Sequence, residues 1–146
     1  MIDHENRVIR VSAVVLRHPS NGRILAVRKR GTRMFMQPGG KPEPGESALD
    51  AAVREVREEL GVSLDADRMT PLGTFTAPAA NEGGYDVVGT VFVHPPVEVA
   101  GPSAEIEELR WVDPDDVAGD DLAPLMVHRI IPALRSQGFL PAETAR

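Results

Sequence analysis

The sequence contains no cysteine, so disulfides and thiolate metal sites are excluded. It also lacks an excess of basic residues. Lys and Arg total 16 against 22 Asp and Glu, a formal net charge of −6. That balance argues against a nucleic-acid duplex or an anionic membrane as partner, since both favour dense Lys/Arg patches. An acidic chain still binds phosphates if it recruits a divalent cation. No apolar run approaches the roughly 20 residues a spanning helix needs. The first residues, Met1-Ile2-Asp3-His4-Glu5-Asn6-Arg7, carry acids and no apolar core, unlike a signal peptide or anchor. Internal repeats, low-complexity tracts and long linkers are missing too. What remains is a chain of 146 residues, 42% hydrophobic, which is enough for a core. The expectation is a soluble, cytoplasmic protein with one domain over residues 1–146.

Val8 to Leu16 is rich in β-branched residues and reads as a strand. Asn21-Gly22 signals a turn and Ile24 to Val27 the next strand, so the two are expected to form a hairpin. Thr70 to Phe75 and Tyr85 to Val93 read as strands around an Ala/Pro/Gly loop, and Glu107 to Val112 as a shorter one. Pro124 to Gln137 has helical spacing, with Leu125, Ile130, Ile131 and Leu134 inward and Pro132 a break in its middle. This order predicts an α/β fold with helices on the faces of a sheet.

The clearest helix is Ala48 to Leu60. Ser47 is placed to cap its start, with Asp50 completing a capping-box spacing, and Gly61 stands where a C-terminal cap belongs. Leu49, Ala52, Val53, Val56 and Leu60 form one apolar stripe. At 100° per residue, Glu55, Glu58 and Glu59 fall at about 0°, 300° and 40°, an arc well away from Leu49, Val53, Val56 and Leu60. Three carboxylates are thus expected on one exposed face. Such a cluster is by itself ordinary for a solvated helix. It is also the arrangement a cation would convert from repulsion to attraction, and Mg²⁺ prefers oxygen ligands shared between carboxylates and phosphates.

The flanking residues decide between these. From Gly40 the chain reads GKPEPGESALDAAVREVREELGV. It resembles the Nudix box at every fixed position: Gly40, Glu46, Arg54, Glu55, Val56, Glu58, Glu59, Gly61 and Val62. With each fixed type as rare as glycine, a chance match is on the order of 10⁻⁹ per start. The resemblance implies the Nudix fold, an α/β/α sandwich with a mixed β-sheet. It implies hydrolysis of a phosphoanhydride bond in a nucleoside diphosphate linked to another group. The cofactor would be Mg²⁺, with Mn²⁺ as the alternative, held by Glu55, Glu58, Glu59 and the carbonyl of Gly40. Gly39 would let backbone approach the ligand. Arg54 would orient a glutamate, with Glu46 as its acidic partner; a structural ion pair is the alternative. The general base is Glu59 or Glu105, with Glu107 and Glu108 competing. Arg28 and Lys29, at the end of the second strand, are candidates for binding a phosphate. Trp111 is read as packing rather than stacking a base. The family is often dimeric, and a homodimer would use the first strand or the second helix.

The box reports the bond and not the group attached to it. The chain is short, which favours a (d)NTP as the small-molecule nucleotide substrate. Pro78, sixteen residues past Val62, stands near the proline of ADP-ribose hydrolases in the family, so ADP-ribose or a nucleotide sugar is the alternative. Members that read oxidised dGTP often use a C-terminal asparagine, and this chain has none after Asn81. A non-catalytic nucleotide sensor is the competing class, but sensors have lost acidic box positions and this chain keeps them all.

Overall fold

The computed structural model describes residues 7–141. The reading of residues 1–6 lies outside them. The strands are β1 (Val8–Val15), β2 (Ile24–Lys29), β3 (Gly39–Gly40), β4 (Thr70–Pro78), β5 (Asp86–Val93) and β6 (Ile106–Val112). The helices are α1 (Ala48–Leu60) and α2 (Ile131–Ser136). One sheet has the order β3-β1-β5-β4. It is mixed: β1 runs parallel to β5, while β3 pairs antiparallel with β1 and β4 with β5. A second sheet pairs β2 with β6, antiparallel.

The expected β1–β2 hairpin does not form as a ladder. The turn itself is present: Gly22 N–H donates to the His18 carbonyl at 3.1 Å and His18 N–H to the Arg23 carbonyl at 2.8 Å. A single Arg17–Ile24 bridge follows, and then the strands part. The reason is in β2, which is apolar on both sides. Ile24 and Ala26 belong to one core cluster, Leu25 and Val27 to the other. A strand of this kind is stable only when covered on both faces.

The two clusters make the layers. In β1, Ala13 and Val15 face the cluster that holds Met126, Ile130 and Leu134 of the C-terminal helical segment. Val14 and Leu16 face the cluster that holds Ala52, Val56 and Leu60 of α1. The period-2 alternation of the strand thus separates two helical layers. The C-terminal helix takes the form of a π turn, Met126–Ile130, running into α2. Pro132 has no N–H to give to the turn before it, and the wider turn absorbs this: Ile131 N–H reaches back to the Met126 carbonyl. Leu125, Ile130, Ile131 and Leu134 are buried as expected.

α1 has the expected limits because both ends are capped. Asp50 N–H donates to Ser47 Oγ at 3.0 Å. Gly61 takes the left-handed conformation at φ 68° and closes onto the Arg57 carbonyl. Ser103, from the segment before β6, adds a further cap. Its N–H donates to the Glu59 carbonyl and its hydroxyl to the Glu58 carbonyl, both at 2.8 Å. This contact brings the start of β6 to the glutamate end of α1.

Candidate active site

The helical wheel put Glu55, Glu58 and Glu59 together on an exposed face. The structure corrects this for Glu59, which is only 2% exposed. Its position borders the Ala52–Val56 stripe, and β3 packs over that border. Glu59 Oε1 accepts from Gly39 N–H at 3.0 Å, while Oε2 has no partner among the described residues. Burial is the main cause that pushes its carboxyl up to about 8 from the ordinary 4.5. The Gly39 hydrogen bond and Lys29 oppose the shift, and the nearby charges of Glu55 and Glu105 add to it.

Glu55 and Glu58 lie one turn apart, their side chains 16% and 55% exposed. Arg54 Nη1 stands between them, 3.0 Å from Glu55 and 3.5 Å from Glu58. The other side of the guanidinium grips Glu46 through two parallel bonds, Nε to Oε2 at 2.8 Å and Nη2 to Oε1 at 2.9 Å. This fork geometry is specific to arginine. It holds the Glu46 carboxyl at about 2, well below its ordinary 4.5, and raises Arg54 further. Nη2 also donates to the Lys41 carbonyl at 3.2 Å, so Arg54 ties the loop after β3 to the helix.

The two glycines before that loop serve different ends. Gly39 has φ 151°, and a Cβ there would run into the backbone of Ser12 and Ala13. It allows β3 to lie against β1. At Gly40 a Cβ would fall 2.7 Å from both carboxylate oxygens of Glu55. The missing side chain leaves room for the Glu55 carboxylate against the strand.

Of these groups Gly39, Gly40, Lys41 and Glu55 line a cavity of about 540 Å³, whereas Glu46, Arg54, Glu58 and Glu59 are not in its wall. Its polar lining includes Gly39, Gly40, Lys41, Glu55, Lys29 and Glu105. Its apolar lining comes from Ile9, Val11, Val87 and Leu125, with Pro78 at the end of β4 and Ala79 and Ala80 from the β4–β5 loop. Among the acids around β6, Glu105 alone lines the cavity, with Lys29 Nζ at 3.8 Å. Glu107 and Glu108 pair instead with Arg30 and Arg28, at 2.9 and 3.1 Å. Arg28 is not in the cavity wall. Glu108 and the Thr32 carbonyl hold its guanidinium. Trp111 packs against the α1-side core, edge-on to His18 at 4.8 Å. Sequence reasoning missed Ser12, Thr32, Gln37 and Asn81, which also line the cavity. Asn81 belongs there because its Oδ1 accepts from Met34 N–H at 3.1 Å, joining the β4–β5 loop to the segment before β3. That contact spans too much sequence for a local motif to reveal.

A divalent cation fits this donor set. Glu59 Oε2 is a buried oxygen in want of a partner, Gly40 leaves the Glu55 carboxylate space, and every candidate ligand is an oxygen. Among the described residues no three acidic side chains already converge as a metal cluster, since Arg54 stands between Glu55 and Glu58.

The NUDIX domain profile matches residues 8–134. The chain belongs to the Nudix family. Nudix hydrolases act on pyrophosphate bonds of nucleotide-like substrates and generally use divalent cations. A MutT-like protein of Streptomyces ambofaciens is 30% identical over 131 residues, covering 89% of this chain and 79% of that one. An isopentenyl-diphosphate Delta-isomerase of Cutibacterium acnes is 36% identical over 135 residues, covering 79% and 62%. The nucleoside triphosphatase NudI of Escherichia fergusonii is 32% identical over 94 residues, covering 58% and 64%. The crystal structure of a MutT protein from Methanosarcina mazei Go1 superposes with a TM-score of 0.69 at 24% identity, covering 89% of this chain and 95% of that one. The α/β sandwich with a mixed sheet is therefore the Nudix fold. Among the described residues no helix is long and apolar enough to cross a membrane.

Proposed function

We propose that this Nudix protein is a (d)NTP pyrophosphohydrolase dependent on Mg²⁺, with Mn²⁺ as a substitute. The observation that carries the reading is a cavity of about 540 Å³ that joins Glu55 of α1 to an apolar wall. Its volume lies within the range of small-molecule sites. A phosphate chain suits the charged edge, and a nucleoside suits the apolar wall. The similarity to a nucleoside triphosphatase supports the same substrate class.

Glu55, Glu58 and Glu59, with the Gly40 carbonyl, would hold the cation. When bound, Mg²⁺ supplies polarisation of the phosphoryl group and acidifies water. The remaining work belongs to the chain's own residues. Arg54 fixes Glu55 and the loop through its grip on Glu46. Lys29 offsets phosphate charge at the cavity edge. Glu105 takes the proton of the attacking water: it borders the cavity with its side chain 66% exposed. Glu59 suits that role less, because Gly39 engages one oxygen and the cation would engage the other. Positioning and fixed charge provide most of the catalysis in phosphoryl transfer.

The test is hydrolysis of each (d)NTP, ADP-ribose, dinucleoside polyphosphates and nucleotide sugars with Mg²⁺, and again after EDTA. Pyrophosphate and monophosphate from a (d)NTP, abolished by EDTA and restored by Mg²⁺, is expected. Turnover confined to ADP-ribose or nucleotide sugars would replace the substrate assignment. Tight nucleotide binding without any turnover would make the chain a sensor.

A further inference from the structure

Two polar side chains bordering the cavity are almost wholly buried and lack a hydrogen-bond partner among the described residues. They are Ser12, 0% exposed with Oγ unpaired, and Gln37, 6% exposed with Nε2 unpaired. Ser12 shares its face of β1 with Val14, toward α1. Gln37 lines the cavity together with Ala13 and Leu125, which belong to the opposite core cluster.

The backbone on both sides of Gln37 is pinned. Met36 exchanges two hydrogen bonds with Val27, at 2.7 and 2.9 Å, and the Pro38 carbonyl accepts from Val14 N–H at 3.0 Å. Phe35 N–H donates to the Asp121 carbonyl at 2.7 Å, and the Arg110 guanidinium lies 3.9 Å from the Phe35 ring centroid. A rigid segment thus carries a neutral amide at an apolar cavity wall, its Nε2 buried and without a partner among the described residues. Burying such an amide unpaired is costly, and a ligand group that pairs with it recovers that cost. A phosphate would call for a cation instead.

We propose that Gln37 is a specificity-determining residue that hydrogen-bonds the edge of the nucleobase. This rests on the reading of the cavity as a nucleotide site. A side-chain amide pairs with a base edge that carries a donor next to an acceptor, as adenine does with N6 and N7. It meets an edge of two acceptors with one bond only. Hydrogen-bonding sites discriminate strongly, because a mismatched ligand leaves the buried group unpaired.

The test measures binding of AMP, GMP, CMP and UMP, with ribose 5-phosphate as the base-free control, to the wild-type chain and to Gln37→Met and Gln37→Glu. The wild type is expected to rank the four nucleotides. Gln37→Met, of similar length and apolar, is expected to weaken the preferred nucleotide by roughly 10- to 100-fold and to flatten the ranking. Ribose 5-phosphate affinity and the melting temperature should hold. Gln37→Glu, an acceptor only, should reorder the ranking, and it carries the test alone if the Met variant fails to fold. An unchanged ranking in the folded variants, or a flat ranking in the wild type, overturns the role of Gln37 and leaves the nucleotide reading standing. A wild type that binds none of the four overturns both.

Discussion

Gly39 donates its backbone N–H to Glu59 Oε1 at 3.0 Å, so a strand edge and a helix share one buried carboxylate. The contact joins β3 to α1, and it leaves Oε2 without a hydrogen-bond partner among the described residues. A buried carboxyl with one unsatisfied oxygen is a poor device for stability. It is a good one for holding a cation.

That contrast yields the first prediction. Glu59→Gln keeps an acceptor for Gly39 and removes the charge. Hydrolysis is expected to fall by roughly 10²–10³-fold, the scale seen when one electrostatic contact in a catalytic site is lost. The melting temperature in EDTA near neutral pH should hold or rise, since the wild-type carboxyl must take up a proton to be buried and the amide need not. A clear drop in melting temperature with normal turnover would reduce Glu59 to a structural role.

The two adjacent glycines should fail in different ways. Gly39→Ala meets the β1 backbone at a φ that side chains avoid, and is expected to destabilise the fold by about 1–3 kcal/mol. Gly40→Ala displaces the Glu55 carboxylate, a flexible group, without that backbone strain. It should fold normally, with a higher Mg²⁺ requirement and lower turnover. Denaturant unfolding and Mg²⁺ titration of activity separate the two, and equal loss of stability in both would contradict the assignment.

How much of this was legible beforehand depends on how local each signal is. The limits of α1 were readable because Ser47 and Gly61 act within one turn. The box residues were readable because their spacing is rigid. Glu59 was assigned to the exposed face because a helical wheel knows nothing of β3, which covers the edge of the apolar stripe. The β1–β2 hairpin was expected from its turn, but β2 finds its partner β6 some eighty residues on, and no local pattern records that pairing. Gln37 gave no sequence signal. Its part in the cavity follows from its place in the wall and from an Nε2 without a partner among the described residues. Glu105 was preferred in sequence over the competing Glu107 and Glu108, and their partners Lys29, Arg30 and Arg28 tell the three apart in the structure.

The Glu46–Arg54 fork predicts a pH dependence. Glu46 is held at about 2 against an ordinary 4.5, mainly by its hydrogen bond with Arg54. A depressed carboxylate stabilises the folded chain fully above the unfolded value, and that contribution is lost as pH falls from 4.5 through about 2. Glu46→Gln should therefore melt below the wild type at pH 7, with the gap closing as pH drops through that window. Arg54→Lys should lower activity more than stability, because lysine cannot grip Glu46 with two parallel bonds while also holding Glu55. Melting curves across pH check the first statement, and kcat the second. A gap independent of pH would show that the Glu46 charge contributes nothing.

The final prediction separates three acids that sequence alone cannot. Glu105 borders the cavity beside Lys29, while Glu107 and Glu108 are held by Arg30 and Arg28 outside its wall. A general base contributes roughly 10²–10⁴-fold, and it must reach the proton it removes. Glu105→Gln is thus expected to lower kcat within that range and to leave the melting temperature unchanged, as its side chain is largely exposed. Glu107→Gln and Glu108→Gln lose exposed ion pairs, worth about 0–1 kcal/mol, and should retain near-normal turnover. Loss of a proton acceptor also changes the pH–rate profile: the acidic limb of kcat should be displaced in Glu105→Gln and kept in the other two. Normal kcat and an unaltered acidic limb in Glu105→Gln would exclude it as the base and return that role to Glu59.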